Sequence, residues 1–404
     1  MFVERSSALA SPRESTTSPD DRTVQRTPLT RAVVNAAALD EPETYERLDP
    51  GRMWDFIGTL PAQCQAAWDV GQRWPIPPSL GRPGRVVILG VGGSAIGAEL
   101  VAALAARLSS VPVQVVRGYE PPALDARALV MAVSHSGETE ETLGAFNSTL
   151  ATAGMRLAIT AGGTLYRDAA PLGYAVLPYE FDGVPRAAIG WGVFALLALL
   201  SRLDVLSLEQ ATVEAVLAEL AMAAAAWNPT RVSVDNAAKQ LAVRLQGRIP
   251  LIVGPEYLGV VARRWAGQIN ENAKQWAFHS ELPEADHNLI AGLGAPIPTP
   301  ESIHVVFLAS DVLHERNRLR IQLTAEALDR VGITHDELLI GGAEPLDVIM
   351  RATHFGDWVS LYLAMLNEVD HTPVEPLDQL QRAMRQQAWS TPKPGTRLGA
   401  VLAI

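Results

Sequence analysis

The sequence predicts an α/β fold of two similar halves, each a doubly wound parallel sheet between layers of helices. Two observations predict it. From residue 85 onward, short apolar runs alternate with longer amphipathic segments, which is the pattern of βαβ units. A basic residue, an apolar run, a glycine turn and an amphipathic segment occur in RVVILGVGGSAIGAELVAAL at residue 85 and again in RIPLIVGPEYLGVVARRWAG at residue 248. This recurrence indicates two topologically similar halves.

The elements of the first half follow from these patterns. Residues 1–35 are rich in Ser, Thr, Arg and Pro and predict a disordered tail, because they can bury little apolar area. Apolar residues at helical spacing from Met53 to Trp68 predict a helix packed on the first domain. The predicted strands are 86–90, 113–117, 129–133, 156–160 and 174–178, and the predicted helices are 94–108, 139–153, 190–203 and 209–226.

The second half begins where Asn228-Pro229 interrupts the helical pattern. We therefore predict a first domain over residues 36–228 and a second over residues 229–404. The predicted strands of the second domain are 249–253, 303–309 and 337–341, and its predicted helices are 233–246, 256–274, 356–368 and 376–388.

Composition narrows the class of protein. The 404 residues are 48% hydrophobic and carry a formal net charge of −11, which argues against general nucleic-acid binding. The longest apolar run, residues 187–200, is shorter than a membrane span, and the first residues lack a signal-peptide pattern. Cys64 is the single cysteine, which excludes an intramolecular disulfide and thiolate metal clusters. We expect a cytoplasmic protein.

Two turns rich in glycine and hydroxyl groups follow adjacent predicted strands. GVGGSAIG places Gly93 and Ser94 before a helix, and SHSGETEET supplies Ser134, Ser136 and Thr139. Helix N-termini and hydroxyl groups donate hydrogen bonds to anions. Because the carboxyl ends of parallel strands form the ligand crevice, we expect both turns to bind a single phosphate group.

Each turn has an alternative interpretation when taken alone. Ser-x-x-Glu and Thr-x-x-Thr are common helix starts, so the hydroxyl groups could serve only as N-caps. The first turn also fits the G-x-G-x-x-A pattern of dinucleotide-binding proteins. The acidic residue expected after the next strand is missing there, although Arg117 could suit a 2′-phosphate. An NADP-binding oxidoreductase is therefore an alternative, and it leaves the second turn without a role.

The two turns resemble the signature turns of sugar isomerase (SIS) domains, which bind phosphosugars. Four further blocks, GVPRAAIGW, INENAK, PEADHNLIAG and GDWVSLYLAMLNEVDHTPVEPL, together resemble the bifunctional phosphoglucose/phosphomannose isomerases. The resemblance covers residues 40–404. It implies two SIS domains and a homodimer that interconverts glucose 6-phosphate and mannose 6-phosphate with fructose 6-phosphate, without a metal or another cofactor.

This isomerisation requires ring opening and proton transfer between C2 and C1 through a cis-enediolate. The resemblance assigns the base to Glu271, the ring-opening acid to His287 of the neighbouring subunit, and the stabilising positive charge to Arg186. Without the resemblance, Glu271 is better explained as a helix glutamate paired with Lys274, and the other two as surface residues.

The sequence departs from the family pattern at three places. Glu138 stands where the family usually has Asn, and the residues around His287 differ. Gln381, a predicted substrate-binding residue, stands where a proton-transferring lysine is usual, and an amide carries no charge. A phosphosugar-binding sensor with weakened catalysis is therefore a second alternative. Glu284, Asp286 and His287 form a weak alternative metal site.

Overall fold

The structure, a computed structural model, describes residues 36–152, 154–295 and 300–386. Its strands form two parallel sheets, one in each half of the sequence. The strands are β1 (Arg85–Leu89), β2 (Val113–Val116), β3 (Ala128–Val133), β4 (Met155–Thr160) and β5 (Ala175–Pro178), then β6 (Ile249–Pro255), β7 (Phe278–Leu282), β8 (Ile303–Ala309) and β9 (Thr334–Leu339). Their orders are β2-β1-β3-β4-β5 and β7-β6-β8-β9, which confirms the predicted α/β fold of two parallel sheets. The predicted tail, residues 1–35, lies outside the described residues.

Helices lie between the strands in the sequence, and others precede the first strand and follow the last. In the first half they are α1 (Pro42–Leu48), α2 (Met53–Gly58), α3 (Leu60–Arg73), α4 (Gly92–Leu108), α5 (Glu140–Thr149), α6 (Gly163–Arg167), α7 (Ala169–Leu172), α8 (Ile189–Arg202) and α9 (Gln210–Trp227). In the second half they are α10 (Ala237–Leu245), α11 (Leu258–Ala273), α12 (Glu315–Arg330), α13 (Pro345–Leu366) and α14 (Glu375–Gln386). Short 3₁₀ turns lie between them, including Pro185–Ala187 and Glu284–His287.

The central strands of both sheets, such as β3 and β8, are buried on both faces, as their continuous apolar runs predict. In β1, Val86 and Ile88 pack into one buried group of side chains, whereas Val87 and Leu89 pack into another on the opposite face. In the second sheet, Ile252 of β6 belongs to the first group, which extends through both halves. The boundary at residue 228 stays a prediction, because this shared core gives no sharp division there.

Some of the buried helices are packed closely enough to need a small residue at their contact. The apolar run 187–200 forms most of α8, whose side chains are buried. A Cβ on Gly356 in α13 would lie 2.1 Å from Nε1 of Trp265 in α11, so only glycine fits beneath this indole. The same nitrogen donates to the carbonyl of Ala352, 2.8 Å away. In the described part of the chain, no helix has the length and apolar character needed to cross a membrane.

Several elements differ from their predicted bounds. The helix predicted from Met53 to Trp68 is interrupted at Thr59, and α13 begins eleven residues before its predicted start at 356, at Pro345. The strand β7 and the helix α12 were not foreseen from the pattern. β7 has the sequence FHSEL and is largely exposed, so it lacks the apolar run of a central strand.

Candidate active site

The two hydroxyl-rich turns lie side by side, because β1 and β3 are hydrogen-bonded neighbours and each turn leaves the carboxyl end of one strand. The backbone N–H of His135 in the second turn donates to the hydroxyl of Ser94 in the first, at 3.3 Å. Ser94 and Ser136 therefore belong to one edge of the sheet, and the first helix start, α4, points at the same edge.

The second turn is organised by its own hydroxyl groups. Ser134 is buried; its Oγ accepts from the N–H of Gly137 at 3.1 Å and lies 2.9 Å from Oγ1 of Thr139. Ser136 is exposed, and its Oγ accepts from the N–H of Glu138 at 3.2 Å. Gly137 has a φ of 65°, a left-handed conformation that glycine adopts without strain. Ser134 thus supports the turn, while the hydroxyl hydrogen of Ser136 is available to an anion.

The carboxylate of Glu138 is held by α6, the helix that follows the neighbouring strand β4. Its oxygens accept from the backbone N–H and the hydroxyl of Thr164, each at 2.8 Å, and from Nη2 of Arg167 at 3.0 Å. Burial would raise the pKa of this carboxyl, but the hydrogen bonds from Thr164 and Arg167 outweigh burial and lower it. The carboxylate that stands here in place of the usual Asn therefore has partners of its own within the chain.

Arg186 is buried beside the first turn. A Cβ on Gly93 would lie 3.0 Å from the carbonyl oxygen of Pro185 and 3.3 Å from Cα of Arg186, so the turn and the arginine segment are in direct contact. Nε of Arg186 donates to Oδ1 of Asn272 at 2.7 Å, and Nη2 donates to the carbonyls of His371 and Thr372 at 2.6 and 3.0 Å. Its surface interpretation is therefore wrong.

The other terminal nitrogen of Arg186, Nη1, faces Glu271. Nη1 lies 3.9 Å from Oε2 of Glu271, whose side chain is 38% exposed, and it has no hydrogen bond within the described residues. Burial lowers the pKa of the guanidinium, while Glu271 and Asp370 raise it in part. Lys274 donates not to the carboxylate of Glu271 but to its backbone carbonyl. Glu271 is thus a half-exposed carboxylate whose near cation is Arg186.

His287 and Gln381 lie outside this arrangement in the single chain. His287 ends the short turn Glu284–His287 after the edge strand β7 and is exposed, without a hydrogen bond to the described residues. Gln381 lies on α14, all of whose residues are exposed. The roles predicted for both residues stay predictions.

An aromatic pocket behind the turns was missed by sequence reasoning. Gly93 and Ser94 line it together with His135, Tyr179 and Trp191. Nδ1 of His135 lies 3.1 Å from the hydroxyl of Tyr179. The ring of Tyr179 stacks on that of Trp191, with centroids 4.9 Å apart. Burial lowers the pKa of His135, while the carbonyl of Gly183 raises it in part. Its place within SHSGETEET was the available signal.

The corresponding turn of the second sheet holds a carboxylate of the chain itself. β6 and β8 occupy the places that β1 and β3 have in the first sheet. After β6, Oε1 of Glu256 accepts from the N–H of His314 at 2.8 Å and from Nδ2 of Asn317 at 3.0 Å. Its Oε2 lies 2.8 Å from Nη1 of Arg107 in the first half. A carboxylate therefore lies at the edge of the second sheet that corresponds to the edge of the two hydroxyl-rich turns in the first.

The residues of the two other candidate sites have internal partners. Nε and Nη2 of Arg117 bind the carboxylate of Glu99 at 2.6 and 2.8 Å, so Arg117 does not present a free guanidinium to a 2′-phosphate. Asp286 is 2.9 Å from Nη1 of Arg320, and Glu284 accepts from Asn288. In residues 36–152, 154–295 and 300–386, no group of three His, Cys, Asp or Glu side chains is arranged to hold a metal ion.

Comparison with known proteins identifies the family of this chain. The model of the bacterial phospho-glucose isomerase C-terminal SIS domain matches residues 234–384. A bifunctional phosphoglucose/phosphomannose isomerase from Caldicellulosiruptor bescii is 33% identical over 336 residues, which cover 83% of this chain and 99% of that protein. A protein of the same name from Aquifex aeolicus is 30% identical over 75% of this chain and 91% of its own length. A solved structure of a hypothetical protein from Thermus thermophilus shares the fold, with a TM-score of 0.64 at 16% identity over 87% of this chain and 95% of that chain. The chain belongs to the family of bifunctional phosphoglucose/phosphomannose isomerases.

Proposed function

We propose that the protein is an aldose-ketose isomerase that interconverts glucose 6-phosphate and mannose 6-phosphate with fructose 6-phosphate. One observation carries the proposal. The first turn touches the segment of Arg186 at Gly93, and Nη1 of Arg186 reaches within 3.9 Å of Glu271. A phosphate on the turns and a carboxylate beside a fixed cation are thus connected through one continuous set of contacts.

The chemistry follows from these groups. Ser94, Ser136 and Thr139, with the start of α4, bind the phosphate, and Ser134 supports their turn. Once the ring is open, the carboxylate of Glu271 removes the proton from C2 of the aldose and returns it to C1. Negative charge develops on the enediolate oxygens between these steps, and Nη1 of Arg186 stabilises it without losing its own proton.

Ring opening needs an acid that the single chain does not place beside Glu271. We assign it to His287 of a second subunit, so that the working enzyme is a homodimer; the exposure of His287 supports this assignment. Gln381 would donate a hydrogen bond to substrate in place of the usual lysine. We further propose that catalysis needs no metal or other cofactor and that the enzyme works in the cytoplasm.

The proposal is tested with Glu271→Gln, which keeps the size of the side chain and removes the base. Turnover of glucose 6-phosphate and mannose 6-phosphate should fall by about 10²–10⁴-fold, while phosphosugar affinity stays close to that of the unchanged chain. A coupled assay for fructose 6-phosphate, run with and without chelator, measures the first. Calorimetry measures the second. A variant with unchanged turnover would exclude Glu271 as the base.

Two alternatives have different outcomes in the same experiments. A sensor would be stabilised by phosphosugar and form no product, and Gln381 is the residue that favours this reading. An NADP-dependent oxidoreductase would be stabilised by nucleotide rather than by sugar phosphate. The engagement of Arg117 by Glu99 disfavours the second alternative.

A further inference from the structure

The carbonyl oxygen of His371 holds two cations beside Glu271. It accepts from Nη2 of Arg186 at 2.6 Å and from Nζ of Lys274 at 3.1 Å, which uses both of its lone pairs. The two positive groups are close enough for Arg186 to lower the pKa of Lys274, after burial of the ammonium, which is the larger cause. This carbonyl is the acceptor that the two cations share, so its position contributes to where both stand relative to Glu271.

The side chain of His371 contacts the buried carboxylate of Asp49. It is completely buried, and its Nε2 lies 2.9 Å from Oδ1 of Asp49, which is also completely buried. The two atoms are at ion-pair distance, but Nε2 is not aligned for a hydrogen bond with any of the described residues. Asp49 is held in turn, because its two oxygens accept from the N–H groups of Met53 and Trp54 at 2.7 and 2.9 Å.

Packing between the two segments is tight as well. A Cβ on Gly51 would lie 2.3 Å from Oγ1 of Thr372, so the segment that follows Asp49 lies directly against the side chain of the residue after His371. Asp49 and the His371 carbonyl are therefore linked both by the contact between the two side chains and by this packing.

We propose that Asp49 and His371 are positioning residues of the isomerase site: their buried contact fixes the His371 carbonyl, which places Arg186 and Lys274 for the developing enediolate. The inference rests on the proposed function and extends it to residues outside the motifs. Neither side chain touches substrate in this account. Both act through the two cations.

The test uses Asp49→Asn, which keeps an acceptor for the start of α2 and removes the charge facing His371. His371→Asn removes the ring and keeps the backbone carbonyl. The matched control is Asp40→Asn, the same change at another pair with a buried partner, where Nζ of Lys239 lies 2.9 Å from Oδ1 of Asp40. Circular dichroism and urea unfolding establish that each variant is folded.

Two ligands separate positioning from folding. Calorimetry compares 6-phosphogluconate, whose carboxylate imitates the charge of the enediolate, with glucitol 6-phosphate, which has no charge at C1. The unchanged chain should prefer the gluconate. Asp49→Asn and His371→Asn should each reduce that preference by about tenfold or more. Their affinity for glucitol 6-phosphate should stay within about threefold of the unchanged chain. The double variant should lose no more of the preference than the single variant that loses more. In turnover, kcat should fall and KM should hold. Asp40→Asn should lose stability and keep the preference.

The proposal is overturned if the unchanged chain shows no preference for the gluconate, or if folded Asp49→Asn and His371→Asn keep it within about twofold. Equal loss in Asp40→Asn would also overturn it, because the effect would then be general destabilisation. An unchanged chain that binds both ligands but turns over neither sugar contradicts the isomerase function alone, and the ligand preference still decides the positioning role.

Discussion

A substitution at Gly93 directly tests the contact between the first turn, GVGGSAIG, and Arg186. In Gly93→Ala, the added methyl carbon would lie 3.0 Å from the carbonyl oxygen of Pro185 and 3.3 Å from Cα of Arg186. Carbon contacts are most favourable at about 3.5–4.0 Å, so the turn and the arginine segment must separate by about half an ångström. Both neighbours are backbone atoms, which cannot rotate away. We expect the overpacking to cost about 1–3 kcal/mol of the free energy of unfolding.

The same shift should reduce catalysis. It moves Arg186 relative to the bound phosphate, and a misplacement of about 1 Å can cost about 10²-fold, so we expect kcat/KM to fall about tenfold. The matched control is Gly267→Ala in α11, where an added Cβ meets nothing within 4 Å. This change should add about 0.5–1 kcal/mol of stability and leave kcat/KM unchanged. Urea unfolding and the coupled assay measure both quantities. A folded Gly93→Ala chain with unchanged midpoint and kcat/KM refutes the reasoning.

Two further predictions concern single hydrogen-bonded groups. Ser134→Ala removes the hydroxyl that accepts from the N–H of Gly137 and thereby loosens the turn. We expect KM for the phosphosugar to rise about tenfold with little change in kcat. An unchanged KM in steady-state assays would contradict this. Burial would raise the pKa of Asp336, but hydrogen bonds from His304 and Arg244 outweigh it and lower the pKa below its usual 3.8. Its stabilising contribution is therefore present above that value and is lost as the pH falls through the folded-state pKa. Asp336→Asn should lower the urea midpoint at about pH 7, and this difference should shrink as the pH falls below 3.8, whereas a difference independent of pH would argue against the ionised pair.

The first sheet could be predicted closely because its strands are buried on both faces. The observed β1 to β5 begin and end within one or two residues of the predicted strands, since a continuous apolar run between polar turns has few alternatives. The second half was less regular. β7 is an exposed edge strand with a polar sequence, and α12 has mostly polar residues on its surface, so neither presents a strong hydrophobic period.

The candidate site divides in the same way. The two turns and Arg186 stand in motifs of consecutive residues, which sequence reasoning can find. The contact of Asp49 with His371 joins residues 322 positions apart, and nothing local to either residue indicates it. Gln381 is chosen from its position relative to a motif. Such a position does not tell whether the helix that carries the residue, here the exposed α14, reaches the site within one chain.

The carboxylate of Glu256 has a consequence for how a duplicated architecture can be used. A repeat with two equivalent sheet edges has room for two anionic ligands, yet the second edge is satisfied by a side chain from its own turn and tied to Arg107 across the molecule. At this edge the chain thus uses a carboxylate of its own to join the two halves through Arg107.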